Sequence, residues 1–126
     1  RILVVDDHHV NRFISRRLLE KLGHSAKEAD GGYSALDHLS REDFDLIFMD
    51  IMMPDLDGRT TADLARRKLK AEGRPVPPIV AMSANTAPED YHAILQDGFA
   101  THIEKPISLA EMEAVIFEIT GYKSQT

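Results

Sequence analysis

The chain has no cysteine among its 126 residues and no long apolar segment. The lack of cysteine excludes disulfides and thiolate metal sites, and it gives no sign of an oxidising compartment. A helix that spans a bilayer needs roughly 20 predominantly apolar residues, and no stretch of this sequence approaches that length. No signal peptide and no internal repeat is recognisable. We therefore expect a cytoplasmic domain that makes no contact with a membrane.

Positive charge is also scarce, since 15 Lys and Arg face 21 Asp and Glu and the formal net charge is −6. The basic residues are dispersed among acids, which argues against direct binding of nucleic acid. The length fits one ordinary domain, and 43% hydrophobic residues suffice for a real core. We predict a domain over residues 1–121 and a polar tail over 122–126. Because the chain begins with Arg1 directly on a strand, we expect it to be part of a longer protein.

Apolar strands and amphipathic helices alternate five times along the sequence. After a first apolar run at Ile2–Val5, apolar residues recur at helical spacing over 10–22, and Gly23 follows where a helix would end. Segments 86–89 and 108–111 have the hydroxyl and glutamate of a capping box at a helix start. Such alternation is typical of a parallel sheet covered by helices on both faces. We predict an α/β fold of (βα)₅ architecture.

Chemically active side chains stand at the ends of these apolar runs. Asp6 and Asp7 follow the first run, Asp50 and Ser83 end two others, and Lys105 follows a fourth. The carboxyl ends of parallel strands meet at one edge of a sheet, where ligands bind. Adjacent carboxylates repel each other, and a hard divalent cation relieves that repulsion. The set predicts a site for Mg²⁺ and a phosphoryl group, with Asp50 as a metal ligand and candidate nucleophile.

Several motifs in a fixed order resemble a known family. Over essentially its whole length, the chain looks like the receiver domain of two-component response regulators. This resemblance implies a flavodoxin-like, doubly wound fold with a five-stranded parallel sheet of order 2-1-3-4-5. It also implies that Asp50 accepts a phosphoryl group from a phosphohistidine of a partner protein. The motifs are Val5-Asp6-Asp7, the segment Met49-Asp50-Ile51-Met52-Met53-Pro54-Asp55-Leu56-Asp57-Gly58, Met82-Ser83-Ala84 and Lys105-Pro106.

The resemblance also assigns a metal site. By it, Asp7 and Asp50 bind Mg²⁺ or Mn²⁺ directly, and the backbone carbonyl of Met52 supplies a further ligand. Asp6 acts mainly through coordinated water. Met52 and Asn85 flank the route of the water that would remove the phosphoryl group.

The phosphoryl group itself has its own set of implied contacts. The Ser83 hydroxyl and the backbone amide of Ala84 hold phosphoryl oxygens, and Lys105 pairs with one of them. In this family the bond from this lysine to the following proline, here Pro106, is usually cis. A domain of this kind catalyses only its own phosphorylation and dephosphorylation.

Three histidines stand near these motifs without a clear role. His102 occupies a position where the family often has Tyr or Phe, and it could pack, turn outward or titrate near neutral pH. Packing and surface roles are favoured over pH sensing. His8 and His9 resemble a metal-binding pair, but consecutive residues at a helix start point in different directions, so zinc binding is not expected.

Further motif details favour a hybrid histidine kinase as the parent protein. Asn11-Arg12, the helix ending at 18–23 and Met53-Pro54 resemble receiver domains appended to such kinases. In that setting Asp50 takes phosphate from a kinase phosphohistidine domain and passes it to a histidine phosphotransfer protein, or the domain regulates its kinase by docking. We expect the partner surface to include the first helix, where Phe13 and Ile14 or their neighbours remain partly exposed, and the loop after the fifth strand. The parent kinase could itself be membrane-bound.

Other functions fit the sequence less well. Within the family, the alternative is a free-standing or DNA-binding response regulator. A Mg²⁺-dependent phosphatase of the haloacid-dehalogenase kind also uses an aspartyl nucleophile, but it needs a second Asp where Met52 stands. A flavin or nucleotide module would need a Gly-rich loop after the first strand, where this chain has Asp7 and two histidines. A receiver-like domain with an inactive site usually lacks an acid or the lysine, and here all are present.

Overall fold

Five strands alternate with five helices in the computed structural model, which describes residues 1–84 and 88–121, with the backbone alone for 88–90. The alternation is the predicted one. The predicted cap at 86–89 and the predicted tail at 122–126 lie outside the residues so described. In these ranges, no helix has both the length and the apolar character needed to cross a membrane. The elements are β1 (Ile2–Val5), α1 (His9–Lys21), β2 (Ala26–Ala29), α2 (Gly32–Arg41), β3 (Leu46–Asp50), α3 (Gly58–Ala71), β4 (Ile79–Ser83), α4 (Pro88–Gln96), β5 (Thr101–Glu104) and α5 (Leu109–Thr120).

The sheet has the strand order β2-β1-β3-β4-β5, and every neighbouring pair is parallel. Every residue of β1, β3 and β4 is buried, whereas the edge strands β2 and β5 include partly exposed residues. Helices on both faces bury the central strands completely, which is why these strands are continuous apolar runs. The predicted flavodoxin-like fold and strand order are confirmed. The chain order reverses between β1 and β3, so their carboxyl ends flank a crevice.

Two apolar layers lie on opposite faces of this sheet, because successive residues of a strand point to opposite sides. One layer contains Leu3 and Val5 of β1 and is covered by α2, α3 and α4. The other contains Ile2 and Val4 and is covered by α1 and α5. The helical residues fully buried in these layers include Leu39, Ala62, Leu69 and Ile94 in the first and Leu19, Met112 and Ile116 in the second.

Helix α1 carries more apolar surface than the core covers. Burial of its apolar stripe is concentrated near its C-terminal end, at Leu19 and the following Leu22. Val10, Phe13 and Ile14 are about half exposed, at 45%, 50% and 46%. The expectation that Phe13 and Ile14 remain partly exposed is confirmed, and Val10 shares that surface.

Candidate functional site

The carboxylates of Asp6, Asp7 and Asp50 come together at the carboxyl ends of β1 and β3. One oxygen from each lies within 4.8 Å of those of the other two. Asp6 directly follows β1, where its N–H donates to the carbonyl of Ala29 on β2 at 3.1 Å, and Asp50 is the last residue of β3. Asp6 and Asp50 are buried, whereas Asp7 is exposed. The structure therefore assembles the predicted acidic cluster with one side open to solvent.

The ammonium of Lys105 lies against this acidic cluster. Its Nζ atom is 3.0 Å from Asp6 Oδ2 and 3.1 Å from Asp50 Oδ2. The backbone N–H of Lys105 donates to the carbonyl of Ser83 at 2.7 Å, and the bond to Pro106 is cis. Burial lowers the pKa of Lys105, but the hydrogen bonds and charges of the two carboxylates outweigh burial and raise the pKa above its ordinary value. The side chain is therefore a cation throughout the neutral range.

Burial raises the pKa of the Asp50 carboxyl group to about 6. The charge of Lys105 opposes this rise, and the charge of Asp6 adds to it. The backbone N–H of Met52 also lowers the pKa, since it donates to Asp50 Oδ1 at 3.2 Å. Above neutral pH the group is mainly carboxylate, which is the form that can attack phosphorus. The ionised Asp50 therefore lowers the stability of the folded protein, because the pKa of this group is higher in the folded than in the unfolded chain.

Replacing Asp50 with Asn should stabilise the metal-free protein by about 2 kcal/mol near neutral pH, because Asn keeps the shape and removes the buried charge. The folded pKa is above the ordinary value of 3.8, so the contribution of Asp50 to wild-type stability falls as the pH rises from 3.8 to about 6. The difference in free energy of unfolding between the two proteins should therefore grow over that pH range and stay constant above it. Urea unfolding across that range measures it.

The matched control for this change is Asp63→Asn, at an exposed carboxylate on α3. It should shift stability by less than about 1 kcal/mol, as surface ion pairs do. If the free energies of unfolding of wild type and Asp50→Asn differ by the same amount at every pH, the raised pKa of Asp50 is contradicted.

Ser83 and Ala84 lie at the same edge of the sheet. Ser83 is the last residue of β4, which pairs with β3 beside Asp50. Ser83 is buried and Ala84, which follows it, is exposed. The structure thus brings both residues to the rim where the sequence predicted them, and Asn85 lies outside the described residues.

Two contacts of the site were not predicted from the sequence. A Cβ atom at Gly58, the first residue of α3, would overlap the backbone carbonyl oxygen of Asp50. Arg12 of α1 donates from Nη1 to the carbonyl of Asp6 at 2.8 Å and from Nε to Glu28 at 2.9 Å. Gly58 and Arg12 both belong to motifs noted for their resemblance to the family. The resemblance to the family was the signal available in the sequence, but it did not indicate which atoms Gly58 and Arg12 contact.

The imidazole rings of the three histidines are not part of the acidic cluster, although the backbone N–H of His8 donates to Asp6 Oδ1 at 2.9 Å. The ring of His102 packs against Tyr91, with centroids 4.2 Å apart, and the Tyr91 hydroxyl donates to Glu104 Oε1 at 2.5 Å. Packing is therefore the alternative that the structure supports for His102. The expectation that His8 and His9 point in different directions is wrong, because their rings stack on each other with centroids 5.9 Å apart. Within the described residues, neither belongs to a group of three side chains that could hold a metal ion.

Comparisons with known proteins agree with this geometry. The family model of the response regulator receiver domain matches residues 2–117. The sensor histidine kinase GacS of Pseudomonas protegens is 37% identical over 122 residues, which make up 96% of this chain and 13% of GacS. The chain thus spans a small part of the curated relatives that it matches.

Solved structures share both fold and sequence with the chain. The receiver domain of a Pseudomonas aeruginosa sensor histidine kinase, solved with a magnesium ion in its active site cleft, has a TM-score of 0.79 and 32% identity, covering 96% of this chain and 97% of that one. A second match comes from the co-crystal structure of the Saccharomyces cerevisiae histidine phosphotransfer protein Ypd1 with the receiver domain of Ssk1. It has a TM-score of 0.85 and 27% identity, covering 99% of this chain and 95% of that one.

The family match, the strand order and the position of the acidic cluster all point to one conclusion. The match at 2–117 covers almost the whole chain, and the sheet order is the one that the motifs implied. The relatives described above are a sensor histidine kinase and receiver domains, not phosphatases. The chain belongs to the family of response regulator receiver domains, the phosphorelay modules of two-component signalling.

Proposed function

We propose that Asp50 accepts a phosphoryl group from a phosphohistidine of a partner protein. A carboxylate oxygen of Asp50 attacks phosphorus, and the P–N bond to the donor imidazole breaks. The imidazole leaves with the electron pair of that bond and takes a proton from solvent, and an acyl phosphate remains on Asp50. The observation that carries this proposal is the buried Asp50 carboxylate, ionised near neutral pH and held between Lys105 and two further acids.

The acidic cluster fits Mg²⁺ or Mn²⁺. Three carboxylates converge on one place, and carboxylate oxygens are the ligands that hard divalent cations prefer. The exposed side of the cluster, at Asp7, leaves room for water and phosphoryl oxygens. We assign Asp7, Asp50 and the Met52 carbonyl as direct ligands and Asp6 as a ligand through water. When bound, the cation supplies positive charge that offsets repulsion between the carboxylates and the phosphoryl oxygens.

Three further groups would hold the phosphoryl oxygens. Lys105 Nζ already lies 3.1 Å from Asp50 Oδ2, so its charge is in place before transfer begins and needs little reorganisation. The Ser83 hydroxyl and the Ala84 N–H stand at the end of β4, next to the strand that carries Asp50, and both can donate hydrogen bonds. Catalysis by this domain would consist of positioning and electrostatics at its own Asp50.

Incubation of the protein with acetyl phosphate and MgCl₂ should add one phosphoryl group, about 80 Da, to its intact mass. Asp50→Asn and an excess of EDTA should each abolish the gain, because one removes the nucleophile and the other the cation. Asp63→Asn, which leaves the cluster intact, should retain it. If acetyl phosphate gives no gain, a purified phosphohistidine protein replaces it. No gain from either donor, or an equal gain in Asp50→Asn, would refute the proposal.

We further propose that the domain works within a hybrid histidine kinase in the cytoplasm. A sensor histidine kinase is among its relatives, and a solved structure of similar fold comes from a complex with a histidine phosphotransfer protein. The phosphodonor would be the phosphohistidine domain of the kinase, and the acceptor a histidine phosphotransfer protein. Contact with nucleic acid or membrane is not part of this role.

The exposed apolar surface of α1 is the proposed docking surface for these partners. Val10, Phe13 and Ile14 form it, each about half exposed. A cavity of about 60 Å³ that Ile14, Asp6 and Lys105 help to line connects this surface with the acidic cluster. A partner helix on α1 would therefore bury apolar area while its histidine reaches Asp50.

A further inference from the structure

Asp55 joins the loop between β3 and α3, residues 51–57, to the start of α2. Its Oδ1 accepts a hydrogen bond from the N–H of Gly32 and its Oδ2 one from the N–H of Tyr33, each at 3.4 Å. These N–H groups belong to the first turn of α2, where backbone donors have no partner within the helix. The N-cap residue is Gly31, which has no side chain to accept them. A loop residue distant in sequence therefore takes the place of the usual capping side chain.

Glycines at the start of α2 make room for this contact. A Cβ atom at Gly31 would lie 2.6 Å from Asp55 Oδ2. A Cβ atom at Gly32 would overlap Thr61 Oγ1 and lie 2.8 Å from Leu56 Cβ. Because φ of Gly31 is 177°, an extended value that any residue adopts, the close approach of Asp55 alone explains a glycine there. The two glycines at the start of α2 thus allow the loop to pack closely against this helix.

The charge of Asp55 strengthens the contact. Burial raises the pKa of Asp55, but hydrogen bonds from backbone N–H groups, including those of Leu56, Tyr33 and Gly32, outweigh burial and lower the pKa below its ordinary value. The carboxylate is therefore ionised at neutral pH. A negative charge at a helix N-terminus also interacts favourably with the helix dipole.

The same loop begins at the functional site. The N–H of Met52 donates to Asp50 Oδ1 at 3.2 Å, and the N–H of Gly58 closes the loop by donating to the carbonyl of Ile51 at 2.9 Å. The Met52 side chain is 77% exposed, so side-chain packing contributes little to holding this backbone in place. Asp55 lies three residues further on and supplies an anchor outside the site.

We propose that Asp55 is a positioning residue that holds the Met52 backbone beside Asp50 by anchoring the loop to α2. The inference rests on the proposed function, in which the Met52 carbonyl is a ligand of the divalent cation. A loop without this anchor would have to be ordered when the cation binds, and the entropy lost in that ordering would weaken binding.

Asp55→Ala should raise the Mg²⁺ concentration for half-maximal phosphorylation by acetyl phosphate about tenfold, as loss of a residue supporting a metal ligand does. The rate at saturating Mg²⁺ should change less than about twofold, because Asp55 touches neither Asp50 nor the phosphoryl group. Hydrogen exchange at the amides of Gly32 and Tyr33 should become faster. Gly31→Ala should act in the same direction, since its methyl group displaces the Asp55 carboxylate.

Asp37→Gly is the matched control, because it weakens α2 at an exposed position without touching the loop. It should leave the half-maximal Mg²⁺ concentration unchanged. Mg²⁺ alone should raise the melting temperature less in Asp55→Ala and Gly31→Ala than in wild type, and as much in Asp37→Gly as in wild type. An unchanged Mg²⁺ dependence in Asp55→Ala, or an equal change in Asp37→Gly, would overturn the role of Asp55. If the wild-type protein takes up no phosphoryl group from acetyl phosphate or from a phosphohistidine protein, the proposed function fails, while amide exchange and the melting shift still test the anchor.

Discussion

Replacing Gly58 with Ala is expected to lower the free energy of unfolding by about 3 kcal/mol. Gly58 is the first residue of α3, where helix propensity favours Ala by at most about 1 kcal/mol. Against this gain, the new Cβ atom would overlap the carbonyl oxygen of Asp50 and lie 2.8 Å from the Cα atom of Ile51. Both are backbone atoms, at the buried end of β3 and in the residue that follows it, and they cannot swing away as the tip of a side chain can. The steric cost therefore exceeds the propensity gain.

Urea unfolding followed by circular dichroism measures this loss. Gly73→Ala is the matched control, because φ at Gly73 is 68° and a Cβ atom there would have open space around it. That change should cost only about 1 to 2 kcal/mol, the strain of a left-handed conformation. A loss at Gly58 no larger than the loss at Gly73 would show that close approach to Asp50 is not the reason for a glycine at this position.

Replacing Lys105 with Met should leave the fold in place but cost about 3 kcal/mol above neutral pH in the absence of divalent cations. Met keeps the bulk and removes the cation that lies 3.0 Å from Asp6 and 3.1 Å from Asp50. Two buried carboxylates then face each other without compensation, and the pKa of Asp50 rises further. Since a raised carboxyl pKa destabilises the fold as pH rises through it, the loss should be smaller in acid than above neutral pH.

The same variant should fail to respond to phosphorylation. In wild-type protein Lys105 can exchange its contact with Asp50 for one with a phosphoryl oxygen, which would move the loop after β5, whereas Met offers no charge for that exchange. Amide chemical shifts before and after phosphorylation measure the response, with urea unfolding at two pH values for stability. Lys70→Met, at an exposed position on α3, is the control and should behave as wild type. A wild-type set of shift changes in phosphorylated Lys105→Met would contradict the prediction.

The convergence of Asp6, Asp50, Ser83 and Lys105 was predictable because it depends on a local rule. Each follows or ends an apolar run, and a parallel sheet brings the carboxyl ends of its strands to one edge. The capping box of α5 was predictable for a similar reason. Ser108 Oγ accepts from the N–H of Glu111 at 3.2 Å, a contact within one turn of helix.

The anchor at Asp55 and the close approach at Gly58 were not predictable in the same way. Asp55 bonds to the N–H of Gly32, 23 residues earlier in the chain. The Gly58 contact depends on how closely α3 packs beneath β3. The motif containing both residues was recognisable from its resemblance, but resemblance does not specify atomic neighbours.

The exposed half of α1 shows where periodicity reaches its limit. Val10, Phe13 and Ile14 share the helical spacing of Leu19, yet Leu19 is fully buried and the other three are about half exposed. Spacing reports which face of a helix is apolar. It does not report whether the chain itself or a partner covers that face.

The sequence by itself determined the order of strands and helices and the chemistry collected at the strand ends. These follow from local patterns of apolar and polar residues, and parallel topology then leaves one edge for the active side chains. The tertiary structure decided the raised pKa of Asp50, the part of α1 left exposed and the contact of Asp55 with the start of α2. Each of these depends on depth of burial or on distances between segments far apart in the chain, which no local pattern encodes.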